Sequence, residues 1–218
     1  HPEVKWGYAV QAALSLKNLP TGPGDSINIT ATYANGASRY VIGGVSPNGF
    51  SMYGNSGIAY QSLALGFVGD GVFGNQTSIE TSSIWGVRGA FNHNWSPTWS
   101  SSLFGSYTSV NWGEAASALI CRPFATNGAT VGTTTASMSY QGGVCNPDFN
   151  IAQIGTVTRW TPVKGLTFSG EVMYTYLDQK SSGVITNLTA SGAKPPFQTY
   201  ELKDQSTWSG LLRAQRTF

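Results

Sequence analysis

The residues able to do covalent chemistry are few. Only two histidines are present, His1 at the start and His93 beside a turn with aromatic neighbours. No G-x-S-x-G nucleophile turn accompanies them. The histidines and the cysteines Cys121 and Cys145 have no zinc-ligand spacing, so no metal site is expected. Neither a Walker phosphate loop nor a dinucleotide glycine pattern is expected, and the glycines read as servants of turns and crowded strand faces rather than of a cofactor. The sequence therefore reads as non-enzymatic and cofactor-free. What remains is a set of charges inside patterned segments: Lys5, Arg88, Arg159, Glu171 and Arg213. Four cations against one carboxylate act on a solute through their field, not through bonds.

Those charges must be held by strands. Leu166 to Leu177 alternates strictly, with Leu166, Phe168, Val172, Tyr174 and Tyr176 on one face and Thr167, Ser169, Glu171 and Thr175 on the other. Soluble strands usually run ~5–6 residues, whereas about ten are needed to cross a bilayer at a tilt. Val4 to Leu16 repeats the pattern, with Trp6, Tyr8, Val10, Leu14 and Leu16 opposite Lys5, Gln11 and Ser15. Ser26 to Tyr33 returns from the turn at residues 18–25. Ser83 to Trp95 places Trp85, Val87 and Phe91 opposite Arg88. Trp99 to Val110, Phe149 to Trp160 and Thr207 to Phe218 complete the set.

Composition agrees with a membrane surface. Charged residues are 10% of the 218 residues, against ~25% in soluble domains, and aromatics reach 12%. No run approaches the ~18 apolar residues of a membrane helix, so a spanning structure would have to be a closed β-barrel. A net charge of +2 without a basic cluster excludes nucleic acid as a partner. The opening His1-Pro2-Glu3 lacks the apolar region of a signal peptide, so the sequence reads as a mature chain or as one that begins partway into a longer one.

The connections alternate short and long, the pattern of an up-and-down barrel with turns on one rim and loops on the other. The long ones are Asn35–Ser78, Asn111–Pro147 and Asp178–Asp204. In the first, Ser38–Val45 reads as strand and Ile58–Val68 as a short helix packed on the barrel. The second holds both cysteines. In an oxidising compartment they pair, closing a loop of about two dozen residues with ~3 kcal/mol of chain entropy at stake; in a reducing one they stay thiols. Trp95 and Trp99 flank a tight turn, where an interfacial aromatic girdle would lie.

At this point a family comes into view. TRWTPVKGLTFSGEVMYTYLD and the ending TWSGLLRAQRTF resemble the C-terminal part of alphaproteobacterial porins of the Rhizobium/Brucella type. The opening hairpin, residues 5–40, resembles an internal hairpin of that family, and Phe218 is similar to the terminal barrel-insertion signal. Arg216 departs from the pattern, standing where an aromatic is usual. The resemblance implies an all-β transmembrane antiparallel up-and-down barrel with about sixteen strands per subunit. It implies a homotrimer in the bacterial outer membrane, in contact with lipid and lipopolysaccharide. This chain supplies about seven or eight strands, so residues 1–218 read as one barrel domain forming the C-terminal half of a longer barrel. The implied pore lining is Lys5, Arg88, Arg159, Glu171 and Arg213. The implied girdle is Trp6, Tyr8, Trp95, Trp99, Trp160, Tyr174, Tyr176 and Phe218. Two functions follow as expectations: a water-filled channel for ions and small hydrophilic solutes, or a plugged barrel that displays its long loops for binding or adhesion.

Overall fold

Seven long strands carry the period-two pattern: β1 (Tyr8–Lys17), β2 (Ser26–Asn35), β3 (Ser83–Ser96), β4 (Trp99–Asn111), β5 (Phe149–Val163), β6 (Leu166–Gln179) and β7 (Gln205–Arg216). In the computed structural model, which describes residues 2–43, 48–75, 77–125, 130–131, 134–135, 138–187 and 198–217, they form one sheet in chain order. Every neighbouring pair is antiparallel. The three short connections lie on one rim. At Gly165 the last of them needs the left-handed backbone, φ 85°, that glycine adopts without strain.

The long connections do not remain loops. Residues 48–54 and 61–68 from the first, 138–141 from the second, and 183–187 and 199–202 from the third assemble a second, five-stranded sheet. One α-helix, α1 (Gly113–Ala125), follows β4. No helix among the described residues is long and apolar enough to cross a membrane.

This second layer packs on the loop-side end of one face of the main sheet. Ile84, Val110, Phe149 and Leu177 project from four wall strands and meet Ala64, Val68, Trp112 and Ala116 in one buried cluster. The packing is close: a Cβ at Gly66 would lie 2.8 Å from the Phe149 ring. Trp112 stacks on Phe67, with centroids 5.2 Å apart, and its Nε1 donates to the Phe67 carbonyl at 3.2 Å. Gln179 ties the layers through the main chain. Its Nε2 donates to the Leu63 carbonyl at 2.8 Å and its Oε1 accepts from the Leu65 amide at 3.2 Å, satisfying buried groups at the strand margin. A disulfide joins Cys121 of α1 to Cys145.

Three expectations are corrected. The segment expected as a helix over Ile58–Val68 is the strand Gln61–Val68, because five of its eight residues are buried and its apolar run is that of a covered strand. Where a strand was expected from Ser38, there is a 3-10 turn at Ser38–Tyr40, held by Asp70, whose Oδ1 accepts from the Ser38 amide and hydroxyl at 2.7 Å each; the end of that expected strand, residues 44–45, lies outside the described residues. The first strand begins at Tyr8 rather than Val4. The seven-stranded sheet is open among the described residues, with β1 and β7 as its edges, and the count of seven falls within the seven or eight strands expected of this chain.

Candidate functional site

The two faces of the wall differ in chemistry, and the strand register shows which side chains share each. The face turned away from the second layer carries Val10, Leu14, Ile29, Tyr33, Val87, Leu103, Ile154, Phe168, Val172 and Leu212, all exposed. Trp6 is 87% and Leu212 89% exposed, and no described residue lies over this apolar surface. Contiguous apolar area on this scale is foreign to a water-facing monomer.

The rings on that face gather in two bands. Near the short turns, Trp99 stacks on Trp160 and Trp160 on Phe168, at 5.7 Å each. Trp95 meets His93 edge-on at 4.2 Å and donates from Nε1 to the Ser101 hydroxyl at 3.1 Å. Toward the long loops, Tyr8 approaches Tyr33 at 6.1 Å, Trp85 approaches Tyr107 at 5.4 Å and Tyr174 approaches Trp208 at 5.0 Å. Tyr176 shares this band and donates its hydroxyl to Asp204 at 2.8 Å. Trp6 precedes β1, and Phe218 lies outside the described residues. Sequence reading missed Tyr33, Trp85, Tyr107 and Trp208 as band members, although each shares the parity of an apolar strand face.

The opposite face bears the charges. Arg88 sits in a row that runs directly across four strands: Arg88 opposite Ser106, Ser106 opposite Gln153, Gln153 opposite Thr175. Within it the Ser106 hydroxyl donates to Gln153 Oε1 at 3.3 Å and Gln153 Nε2 donates to Thr175 Oγ1 at 3.1 Å. A second chain lies nearer the short turns. Arg159 donates to the Ser102 hydroxyl at 2.7 Å, Ser102 to Asn92 Oδ1 at 2.6 Å, and Asn92 Nδ2 to the Ser26 hydroxyl at 3.2 Å. Ser169 stands between Arg159 and Arg213, paired with both. Glu171 lies two residues along β6 from Ser169 on the same face, a diagonal neighbour of both arginines. Lys5 is set apart: it precedes β1, and its Nζ donates to the Ile79 carbonyl at 3.0 Å with Glu80 at 3.9 Å.

His93 and Asp25 form a local clasp at the short-turn rim. Asp25 is fully buried, and its carboxylate accepts from Thr21 Oγ1 at 2.6 Å and from the Asn94 amide at 3.0 Å, with His93 Nδ1 at 2.6 Å. These bonds, that from Thr21 foremost, hold its carboxyl at about 2, below the ordinary range. The serine hydroxyl of a catalytic relay is not among its partners. The run Gly69–Gly74 has the G-x-G-x-x-G spacing that the sequence reading took to be absent; it enters the two-residue strand Gly71–Val72, and no helix opens there among the described residues to hold a pyrophosphate at its N-terminus. Among the described residues, no cluster of three or more His, Cys, Asp or Glu side chains could hold a metal ion.

An antiparallel meander with one bare, ring-bordered apolar side and one charged side is built as membrane-spanning β-sheets are built. Residues 1–211 match the Porin subfamily, and the chain belongs to that porin family. No curated protein and no solved structure matches the chain. Porins are non-enzymatic channel proteins, and membership implies an outer-membrane location.

Proposed function

We propose that the charged face lines a water-filled pathway for passive diffusion of ions and small hydrophilic solutes across a bacterial outer membrane. The carrying observation is the division of one sheet into a bare apolar side between two aromatic bands and a side bearing Arg88, Arg159, Glu171 and Arg213. On this reading the apolar side meets lipid tails, the rings form interfacial girdles, and lipopolysaccharide surrounds the loop-side rim. Three cations against one carboxylate on the wall, with Lys5 at its margin, favour anions. Three copies form the assembly, without a cofactor. The free edges of β1 and β7 are untenable in lipid, so further strands complete the barrel, in keeping with a C-terminal half.

Planar-bilayer recording of the purified protein tests this reading. Stepwise openings are expected, and Arg88→Ala or Arg159→Ala shifts the permeability ratio toward cations. The second sheet, drawn from all three long connections onto the charged side, favours a second reading: a plugged barrel that displays its loops to a binding partner. Electrical silence from a protein whose circular dichroism shows intact β-structure would replace the channel with that display role.

A further inference from the structure

Between the wall and the second layer lies a cleft of about 290 Å³ whose two sides differ. The wall side carries Arg88 and Thr108, and the facing side carries Val41, Ile42 and Phe50. Among the described residues Arg88 makes no ion pair and Thr108 no side-chain hydrogen bond. Glu171 is too remote to neutralise Arg88: the row from Arg88 reaches β6 at Thr175, leaving Glu171 three strands over and four residues along, ~14 Å across and ~13 Å lengthwise. Gly86 keeps the floor open, since a Cβ there would lie 2.8 Å from Thr108 Oγ1 and 3.0 Å from the Val41 side chain.

A planar guanidinium without a partner, a free hydroxyl beside it and an aliphatic and aromatic wall opposite are complementary to one kind of molecule. We propose that this cleft is a binding subsite for small carboxylates with an apolar body, aromatic monocarboxylates above all. Arg88 takes the carboxylate through paired N–H donors, Thr108 adds a third donor, and Val41, Ile42 and Phe50 cover the ring. Neither half suffices alone. Chloride and acetate lack the apolar body, and a neutral aromatic leaves the guanidinium without its anion. The inference names a solute class for the proposed channel and rests on that reading only for how the solute arrives.

The test is titration calorimetry of the intact protein in zwitterionic micelles, with benzoate as probe and acetate and benzyl alcohol as half-probes, beside bilayer recording. Saturable benzoate binding is expected, at least tenfold tighter than either half-probe. Arg88→Ala and Phe50→Ser each weaken it tenfold or more, while Lys164→Ala, which removes a cation at the short-turn rim, leaves it unchanged. Circular dichroism of each variant checks that the fold is retained. Absence of saturable binding, equal affinity for benzyl alcohol, or indifference to Arg88→Ala overturns the subsite, whatever the conductance. Benzoate binding in an electrically silent protein sinks the channel and keeps the subsite.

Discussion

Asp25 shows how one side chain sets a rim. At the end of the turn at residues 18–25, the Asp25 carboxylate gathers the Thr21 hydroxyl from the turn itself and His93 and the Asn94 amide from β3. It thereby fastens the β1–β2 hairpin to β3 at the short-turn rim, beside the ladder and the bonds from Asn92 Nδ2 to the Ser26 hydroxyl and from Asn94 Nδ2 to the Pro23 carbonyl. Because the folded carboxyl titrates at about 2 and an unfolded aspartate near ~3.9, the stabilisation is complete above about pH 4. It fades as pH falls through 2. Thermal unfolding in micelles should therefore show Asp25→Asn below the native protein at pH 7, with the gap narrowing through pH 2 and closed below it. A gap that persists at the acid end would mean that the carboxylate's charge is not what fastens the hairpin.

The wall strands and the second layer differ in how openly they declare themselves, and the reason is solvent. Each wall strand separates an apolar side from one that carries polar and charged groups, so Phe168, Val172 and Tyr176 alternate with Ser169, Glu171 and Thr175, and the period is written in the residues. The strand Gln61–Val68 buries Ser62, Ala64, Gly66 and Val68 on one side and carries Leu63, Leu65 and the exposed Phe67 on the other, so both sides are largely apolar and no polar face marks the period. The helix was overlooked although Glu114, Ala115, Ala116 and Ala118 are sound helix formers, because Thr, Gly and Ser dominate the rest of that connection. The pairing of Cys121 with Cys145 was legible and the row through Arg88 was not, since register between strands distant in sequence is not encoded in either one. Trp112, whose role also went unread, is the peg of the second layer. Trp112→Ala should cost roughly 3–5 kcal/mol in that layer. Limited proteolysis should then cut residues 48–72 and 113–125 first, while far-ultraviolet circular dichroism retains the wall. Simultaneous loss of wall signal would show the two sheets to be one cooperative unit.

At the scale of the whole molecule the number of wall strands has a consequence. In a meander of seven, β1 and β7 both run from the loop rim toward the short-turn rim. Two copies arranged around one axis would set β7 of one beside β1 of the other in parallel, against the antiparallel pairing of barrels in lipid. A closed antiparallel barrel therefore needs an odd number of strands from elsewhere, about nine where the total is about sixteen, and identical copies of this sheet cannot supply them to one another. Bifunctional maleimide cross-linking of Ala12→Cys on β1 with Gly210→Cys on β7 distinguishes the cases. In membranes the two edges should each link to further polypeptide, and mass spectrometry of the native barrel should find sequence beyond these 218 residues. A stable barrel made only of the 218-residue chain, with efficient linkage between the two substituted edges, would show that this sheet closes with itself and would remove the half-barrel reading.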